Sequence, residues 1–479
     1  MNVSLTILEI AVILLGLTIL LVDLWLPTQY RRLLGYTAAA GVVAILIASF
    51  WMPVGEPEFA FGRMYIFDPL ALYFKRFFLL AAAIVLVLTV DFSERLPSGI
   101  SEYYALSLFA LSGMMFAASA NDFILVFVAL ELITITFYIL TSFQRNRLTS
   151  LEAGIKYLIL GALATGFTVY GIALIFGTAN ATSFSVIAAK AGDLAGNRLF
   201  LLGTLLVLVG VGFKIAAFPF QMWAPDVYQG APAPTAAFLA VGSKAAGMVL
   251  LLRILFGVIP QVTVNWTALL MAVSGLTILY GNLCAIPQRS LKRLLGYSSI
   301  AHAGYMLLGI IAVNQAGSTA VLFYLVGYLF TVLAAFGVIC VVMRITDSDD
   351  LSAFAGLHSR SPLLAAALGF SMVSLAGIPP LAGFFGKFLL LRALLEHGTA
   401  SHYWLALVAL IGVAISLYYY LGILRTVYWT KAQSNDPMIT VAGPIRCVLY
   451  GCIAAMLYLG IFPNIIVNAA VRASLAFQL

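Results

Sequence analysis

The sequence predicts an all-α polytopic membrane protein of about fourteen transmembrane helices, because a span needs ~20 mainly apolar residues and the chain supplies that many such runs. Composition agrees: of 479 residues, 63% are hydrophobic and only 9% are charged. A soluble chain of this size needs far more charge on its surface. The third observation is what interrupts the runs. Two are cut by proline and glycine, and several hold a single charge, which lipid does not tolerate without a reason.

In order, the first run is Leu5 to Leu26. It is too long for a signal-peptide core and has no basic start, so it reads as a retained helix. Further spans start near Leu33, Pro69, Tyr103, Asp122, Leu151, Leu201, Pro234, Trp266, Leu291, Ala320, Pro362, Tyr403 and Pro444. A short hairpin near Gly55–Met64 is the only sheet expected, since open strands cannot face lipid.

The loops set the orientation. With the N-terminus outside, the inner loops carry Arg31, Arg32, Arg95, Arg145, Arg147, Arg289, Lys292, Arg293, Arg344, Arg360, Arg425, Lys431 and Arg446. Fewer cations fall outside: Arg63, Lys75, Arg76, Lys190, Arg198, Arg253, Arg392 and Arg472. The positive-inside rule favours this arrangement, with both termini outside.

Two spans are broken. Leu201–Tyr228 contains Pro219 and Pro225; Pro362–Glu396 is cut by Gly377-Ile378-Pro379-Pro380, then by Gly383 and Gly386. Proline removes a backbone donor and clashes with the preceding turn. The freed groups must be met by protein or water. Broken helices in both halves of a chain point to a transport site at the interface of an internal repeat.

Several function classes drop out. The net charge of +7 comes from cations in short loops, so no nucleic acid is expected. Cys284, Cys340, Cys447 and Cys452 lie in or beside apolar segments without metal or haem spacing. No glycine-rich nucleotide loop follows a strand. No cofactor is expected on this chain.

What remains is charge inside the spans: Glu131, Lys156, Lys214, Lys244 and Lys387. Each costs at least ~2.5–3.5 kcal/mol at the bilayer centre, so each is kept for pairing, ion passage or proton relay. Glu131 sits near mid-span. Lys156 lies about one and a half turns into its run and can either relay or snorkel to the inner surface. Lys214 and Lys387 flank the two breaks, where a lysine can also cap freed carbonyls. Lys244 is deepest. His302 sits among hydroxyls in Tyr297–Tyr305, either as a satisfied core hydrogen-bonder or as a neutral relay. His358, His397 and His402 read as solvated. A free lysine titrates near ~10.4, and burial and a nearby carboxylate move that value in opposite directions. A glutamate that shifts toward or away from a lysine therefore toggles it between holding and releasing a proton.

The motifs resemble a known family. Phe213-Lys214, Phe218-Pro219-Phe220-Gln221-Met222-Trp223-Ala224-Pro225-Asp226-Val227-Tyr228-Gln229-Gly230-Ala231-Pro232-Ala233-Pro234 and Ser243-Lys244 are similar to the antiporter-like subunits of proton-pumping NADH–quinone oxidoreductase, respiratory complex I. The Pro-Asp-Val-Tyr-Gln-Gly form is similar to the subunit N branch rather than to L and M. Lys292–Ile300, Ser374–Pro379, Leu130-Glu131-Leu132 and Glu152–Tyr157 extend the resemblance over nearly the whole chain.

The resemblance implies fourteen helices with two inverted five-helix repeats, at 102–254 and 264–430, between an N-terminal three-helix segment at 1–101 and a C-terminal helix and tail at 440–479. It implies a proton relay through Glu131, Lys156, Lys214, Lys244, His302 and Lys387, coupled to quinone reduction elsewhere in the complex. Gln221 departs from relatives that carry histidine there, and an amide cannot take up a proton as imidazole does. The flavin (FMN) and iron–sulfur clusters belong to other subunits. The implied neighbours are subunits M, J and K, in a bacterial inner membrane with both termini periplasmic. Two rivals stand beside this reading: a subunit of a multi-subunit sodium–proton antiporter, and a non-transporting scaffold whose buried charges only fix packing.

Overall fold

A computed structural model describes residues 2–27, 30–52, 55–96, 99–396, 398–431 and 438–477. Among these, thirteen continuous helices are long and apolar enough to span a membrane. One more crossing is the interrupted pair Pro362–Ala376 and Ala382–Leu395, so the expectation of about fourteen spans holds.

Polar caps start many of these helices where the sequence places them. Asp68 accepts from Ala71 N at 2.7 Å, with Pro69 at the first helical position. Asp122, Asn197, Ser290 and Asn314 cap their own helices in the same way. Each satisfies a donor that the first turn leaves open. The expected hairpin is present as two antiparallel strands, β1 (Glu58–Ala60) and β2 (Tyr65–Phe67).

Three helices are enclosed on nearly every side: Ala233–Val258, Leu291–Ile311 and Gln315–Thr346. The others turn one apolar face outward, as with Leu163, Tyr170, Trp404 and Tyr418. The enclosed three carry Lys244, His302 and Tyr324. That places these three groups away from the outward-facing surface, where an unmet charge is costly. Ala233–Val258 is π-helical over Leu239–Ser243 and Arg253–Val258, on either side of the Lys244 turn.

Both breaks are resolved by their own neighbourhoods. Arg198–Ile215 ends at Ala216 in a left-handed conformation (φ 59°) and the chain resumes at Trp223–Gly230. The indole of Trp223 donates to Phe213 O at 2.9 Å, meeting one freed carbonyl. Pro362–Ala376 ends at Gly377 (φ 83°), a conformation that favours glycine. There Lys387 donates to Leu375 O at 2.7 Å and Ala376 O at 3.1 Å.

At one end of the bundle, Arg95 and Arg147 converge on Asp347, and Arg344 pairs with Asp91 at 2.5 Å. The hairpin and the C-terminal helix Asn464–Ser474 lie at the other. The structure corrects the loop assignment of four cations. Lys75 (0% exposed), Arg253 (7%), Lys292 (3%) and Arg360 (3%) are buried rather than in loops at the membrane surface. Each is engaged inside the protein, which the spacing of apolar runs does not reveal.

Candidate functional site

Glu131 and Lys214 meet across the helix Phe123–Thr141. Glu131 Oε1 accepts from Thr165 Oγ1 at 2.7 Å. Three residues on, Thr134 accepts from Lys214 Nζ at 3.0 Å. Residues i and i+3 share a helix face, so a carboxylate and an ammonium lie one turn apart without forming an ion pair. Glu131 also lines a cavity of about 580 Å³ with Tyr138, Ser142, Gly154 and Thr165. Its rim is exposed apolar surface: Ile135, Ile139, Ile155 and Leu158.

The Lys244 helix packs directly against the Lys214 helix. Gly247 makes that approach: a Cβ there would stand 2.6 Å from Ile215 Cγ2 and 3.4 Å from Lys214 Cβ. Lys244 itself is 2% exposed and donates to Ser299 O.

From Ser299 onward one helix, Leu291–Ile311, acts as the spine of the second half. His302 follows one turn later and Tyr305 one turn after that. His302 Nδ1 lies 2.5 Å from Tyr324 OH, and Nε2 lies 3.1 Å from Tyr420 OH. Tyr420 OH lies 2.5 Å from Ser298 Oγ. Lys387 Nζ sits 5.0 Å from the centroid of the Tyr305 ring, within cation–π range. Lys244, His302 and Lys387 are thus strung along one helix through hydroxyls, a carbonyl and an aromatic face. Among the described residues, Lys214, Lys244 and Lys387 have hydroxyl and carbonyl partners rather than carboxylates.

Lys156 does not join this row. Its side chain is 44% exposed and pairs with Glu152 at 2.7 Å and Asp226 at 2.8 Å. Asp226 also holds Arg293 at 2.5 Å. The four form a half-solvated cluster around a cavity of about 390 Å³. The two readings open for Lys156, relay and snorkelling, both accommodate a half-exposed lysine held by two carboxylates. His402 is buried at 7% exposure, against the expectation that it is solvated, whereas His358 is exposed. His397 lies outside the described residues.

Sequence reasoning missed four residues. Lys292 is buried and donates to Ala231 O at 2.8 Å. Tyr324 and Tyr420, which hold His302, carry no charge to draw attention. Glu9 stands inside the first apolar run and was a legible signal. It pairs with Lys75 at 2.9 Å, both fully buried.

Residues 120–416 match the family described as NADH:quinone oxidoreductase/Mrp antiporter, TM. NADH-quinone oxidoreductase subunit N of Moorella thermoacetica is 39% identical over 476 residues, 99% of this chain and 99% of that one. A chain of respiratory complex I from Thermus thermophilus with bound aureothin superposes with a TM-score of 0.82 at 33% identity, over 96% of this chain and 99% of that one. A chain of the Mrp complex from Dietzia sp. DQ12-45-1b shares the fold, with a TM-score of 0.83 at 20% identity and coverage of 100% and 98%. With its family motifs in place and its length matched end to end, the chain belongs to the NADH-quinone oxidoreductase subunit N family.

Proposed function

We propose that this chain moves protons across the membrane along the row Glu131, Lys214, Lys244, His302 and Lys387, coupled to quinone reduction elsewhere in its complex. The observation that carries the reading is the set of three buried lysines met by hydroxyls and carbonyls rather than by carboxylates. A scaffold that keeps buried charge for packing pairs it with opposite charge, since an unpaired buried ion costs several kcal/mol. A proton carrier must exist in both states, and a neutral amine needs no counter-ion. Glu131, one turn from the Thr134–Lys214 contact, supplies the charge whose movement can drive that exchange. Lys156, paired at the interface, serves the inner entry of the first half.

The same reading takes 102–254 and 264–430 as inverted five-helix repeats. In support, the interrupted helix is the fourth of five in each segment. It places subunits M, J and K as neighbours and both termini on the periplasmic face of a bacterial inner membrane. The chain's share of the chemistry is charge movement; flavin and iron–sulfur chemistry falls to other subunits.

The test is a pair of variants in the assembled complex. Lys244→Met is expected to abolish NADH-driven pumping in vesicles, and Lys156→Met to retain most of it. Lys244 is enclosed, whereas Lys156 is half-exposed and already paired with Glu152 and Asp226. Near-normal pumping in an assembled Lys244→Met complex would return the scaffold reading to first place. A sodium requirement for pumping would favour the sodium–proton antiporter.

A further inference from the structure

The imidazole of His302 lies in the middle of a run of hydrogen bonds with no gap in it. Ser298 Oγ stands 2.5 Å from Tyr420 OH, Tyr420 OH stands 3.1 Å from His302 Nε2, and His302 Nδ1 stands 2.5 Å from Tyr324 OH. The four side chains come from three helices, Leu291–Ile311, Gln315–Thr346 and Ala400–Tyr428, and all four are buried. A neutral imidazole has one donor nitrogen and one acceptor nitrogen. One tyrosine must therefore donate to the ring while the other accepts from it. Two orders of hydrogens satisfy the same heavy atoms, and they differ by moving one hydrogen along every link.

The run lies between two lysines. Ser298 precedes Ser299, whose carbonyl accepts from Lys244. At the other end a Cβ at Gly386 would stand 2.7 Å from Tyr324 Cδ2, so the helix of Lys387 packs on that tyrosine. The groups that face His302 are Lys244 and Lys387, Tyr324 and Tyr328 from one helix, Tyr420 from another, and Tyr305 on its own. Two further helices packed here turn their tyrosines elsewhere: Tyr280 toward Tyr297, and Tyr228 toward Phe336. Among the described residues no carboxylate joins the groups around the ring. An imidazolium in this place would have two cations for neighbours and no counter-charge, an expensive state for a buried ion.

We propose that Tyr420 and Tyr324 are further relay residues, and that with them His302 passes a proton without becoming charged. The proposal rests on the relay reading above. At the start Ser298 donates to Tyr420, Tyr420 donates to Nε2, and Nδ1–H donates to Tyr324. A proton arriving from the Lys244 side binds the Ser298 oxygen. The proton that Ser298 held passes to the Tyr420 oxygen, that of Tyr420 passes to Nε2, and that of Nδ1 passes to the Tyr324 oxygen. The proton that Tyr324 held leaves toward Lys387. Each step breaks one O–H or N–H bond and forms another. One proton enters, one leaves, every group ends neutral, and the ring has changed tautomer. Turning over the hydroxyls and the ring restores the first order.

The test uses the assembled complex and Tyr420→Phe, which removes one oxygen and keeps the ring. NADH-driven pumping is expected to fall ~10-fold or more at neutral pH, since a positioned proton-transfer group contributes at least that much. The pumping that remains must charge the imidazole from water, and imidazolium forms more readily as pH falls. The ratio of variant to wild-type pumping should therefore rise toward acid pH, with complex content unchanged. A hydroxyl that only supports packing would lower that ratio equally at every pH. Wild-type pumping or a flat ratio overturns the proposal. Tyr324→Phe repeats the measurement at the other nitrogen, and failure of both variants to assemble makes the hydroxyls structural and also overturns it. Tyr328 is the control, its ring 5.2 Å from the imidazole while both nitrogens are taken by the other tyrosines. Tyr328→Phe is expected to pump near the wild-type rate; an equal loss there would make the effect common to any hydroxyl of the pocket and overturn the proposal. Lys244→Met separates the two readings. If it pumps normally, the relay itself fails; if it is inactive while both tyrosine variants pump normally, only the tyrosine proposal fails.

Discussion

A single oxygen or nitrogen decides most of the chemistry here. Glu131 receives its hydrogen bond from Thr165, and a glutamine at that position keeps an oxygen to accept it. Glu131→Gln is therefore expected to assemble normally while quinone reductase activity and pumping fall together. Parallel assays of membranes and sealed vesicles check this, and full pumping in an assembled variant removes Glu131 from the relay. Lys387 poses the opposite problem, because its contacts with Leu375 O and Ala376 O are those of a helix cap. Arginine can donate to both carbonyls and hold the charge, but with a pKa above ~12 it does not release a proton. Lys387→Arg is expected to keep complex content and lose pumping; wild-type pumping would mark Lys387 as a fixed cap. These residues were legible in the sequence because charge in an apolar run stands out. Tyr420 and Tyr324 were not, since a tyrosine that holds a histidine looks like any aromatic in a span. Glu9 was legible alone, but its partner Lys75 is remote in sequence and reads there as a surface cation.

Helices bring these residues within reach, and close approach between helices rests on small residues. The breaks at Ala216 and Gly377 were foreshadowed by proline and glycine. The π-helical turns around Lys244 were not, because no residue type there signals them. Enclosure was equally hidden: Ala233–Val258 and Leu148–Ala179 are both apolar runs, yet only the first is surrounded by protein. Gly247 allows the contact between the Lys214 and Lys244 helices. Its missing Cβ would come 2.6 Å from Ile215 Cγ2, a stiff β-branched atom. Gly247→Ala is expected to overpack that seam by ~1–3 kcal/mol. Lower thermal stability and slower pumping should follow, with Gly247→Ala/Ile215→Ala recovering part of both. A single variant as stable and active as the parent would mean that the seam yields without cost.

At the scale of the molecule the open quantity is orientation, and it follows from parity and charge. Fourteen crossings among the described residues, counting the interrupted pair as one, lead to the expectation that the first and last helices begin and end on the same side. Burial changes the charge balance less than it first suggests. Lys75 and Arg253 leave the outer set, but Lys292 and Arg360 leave the inner one, so the inner excess survives. The exposed cations that remain inside include Arg145, Arg289 and Lys431, and those outside include Arg63, Lys190 and Arg472. The positive-inside rule counts such cations in short loops near span ends. The hairpin and the C-terminal helix are therefore expected on the periplasmic face. Leu475, 63% exposed just beyond that helix, is the position to label. A cysteine there should react with a membrane-impermeant maleimide in intact spheroplasts, in a background lacking the exposed Cys447. Protection until lysis would invert the topology, and with it the side on which the hairpin lies.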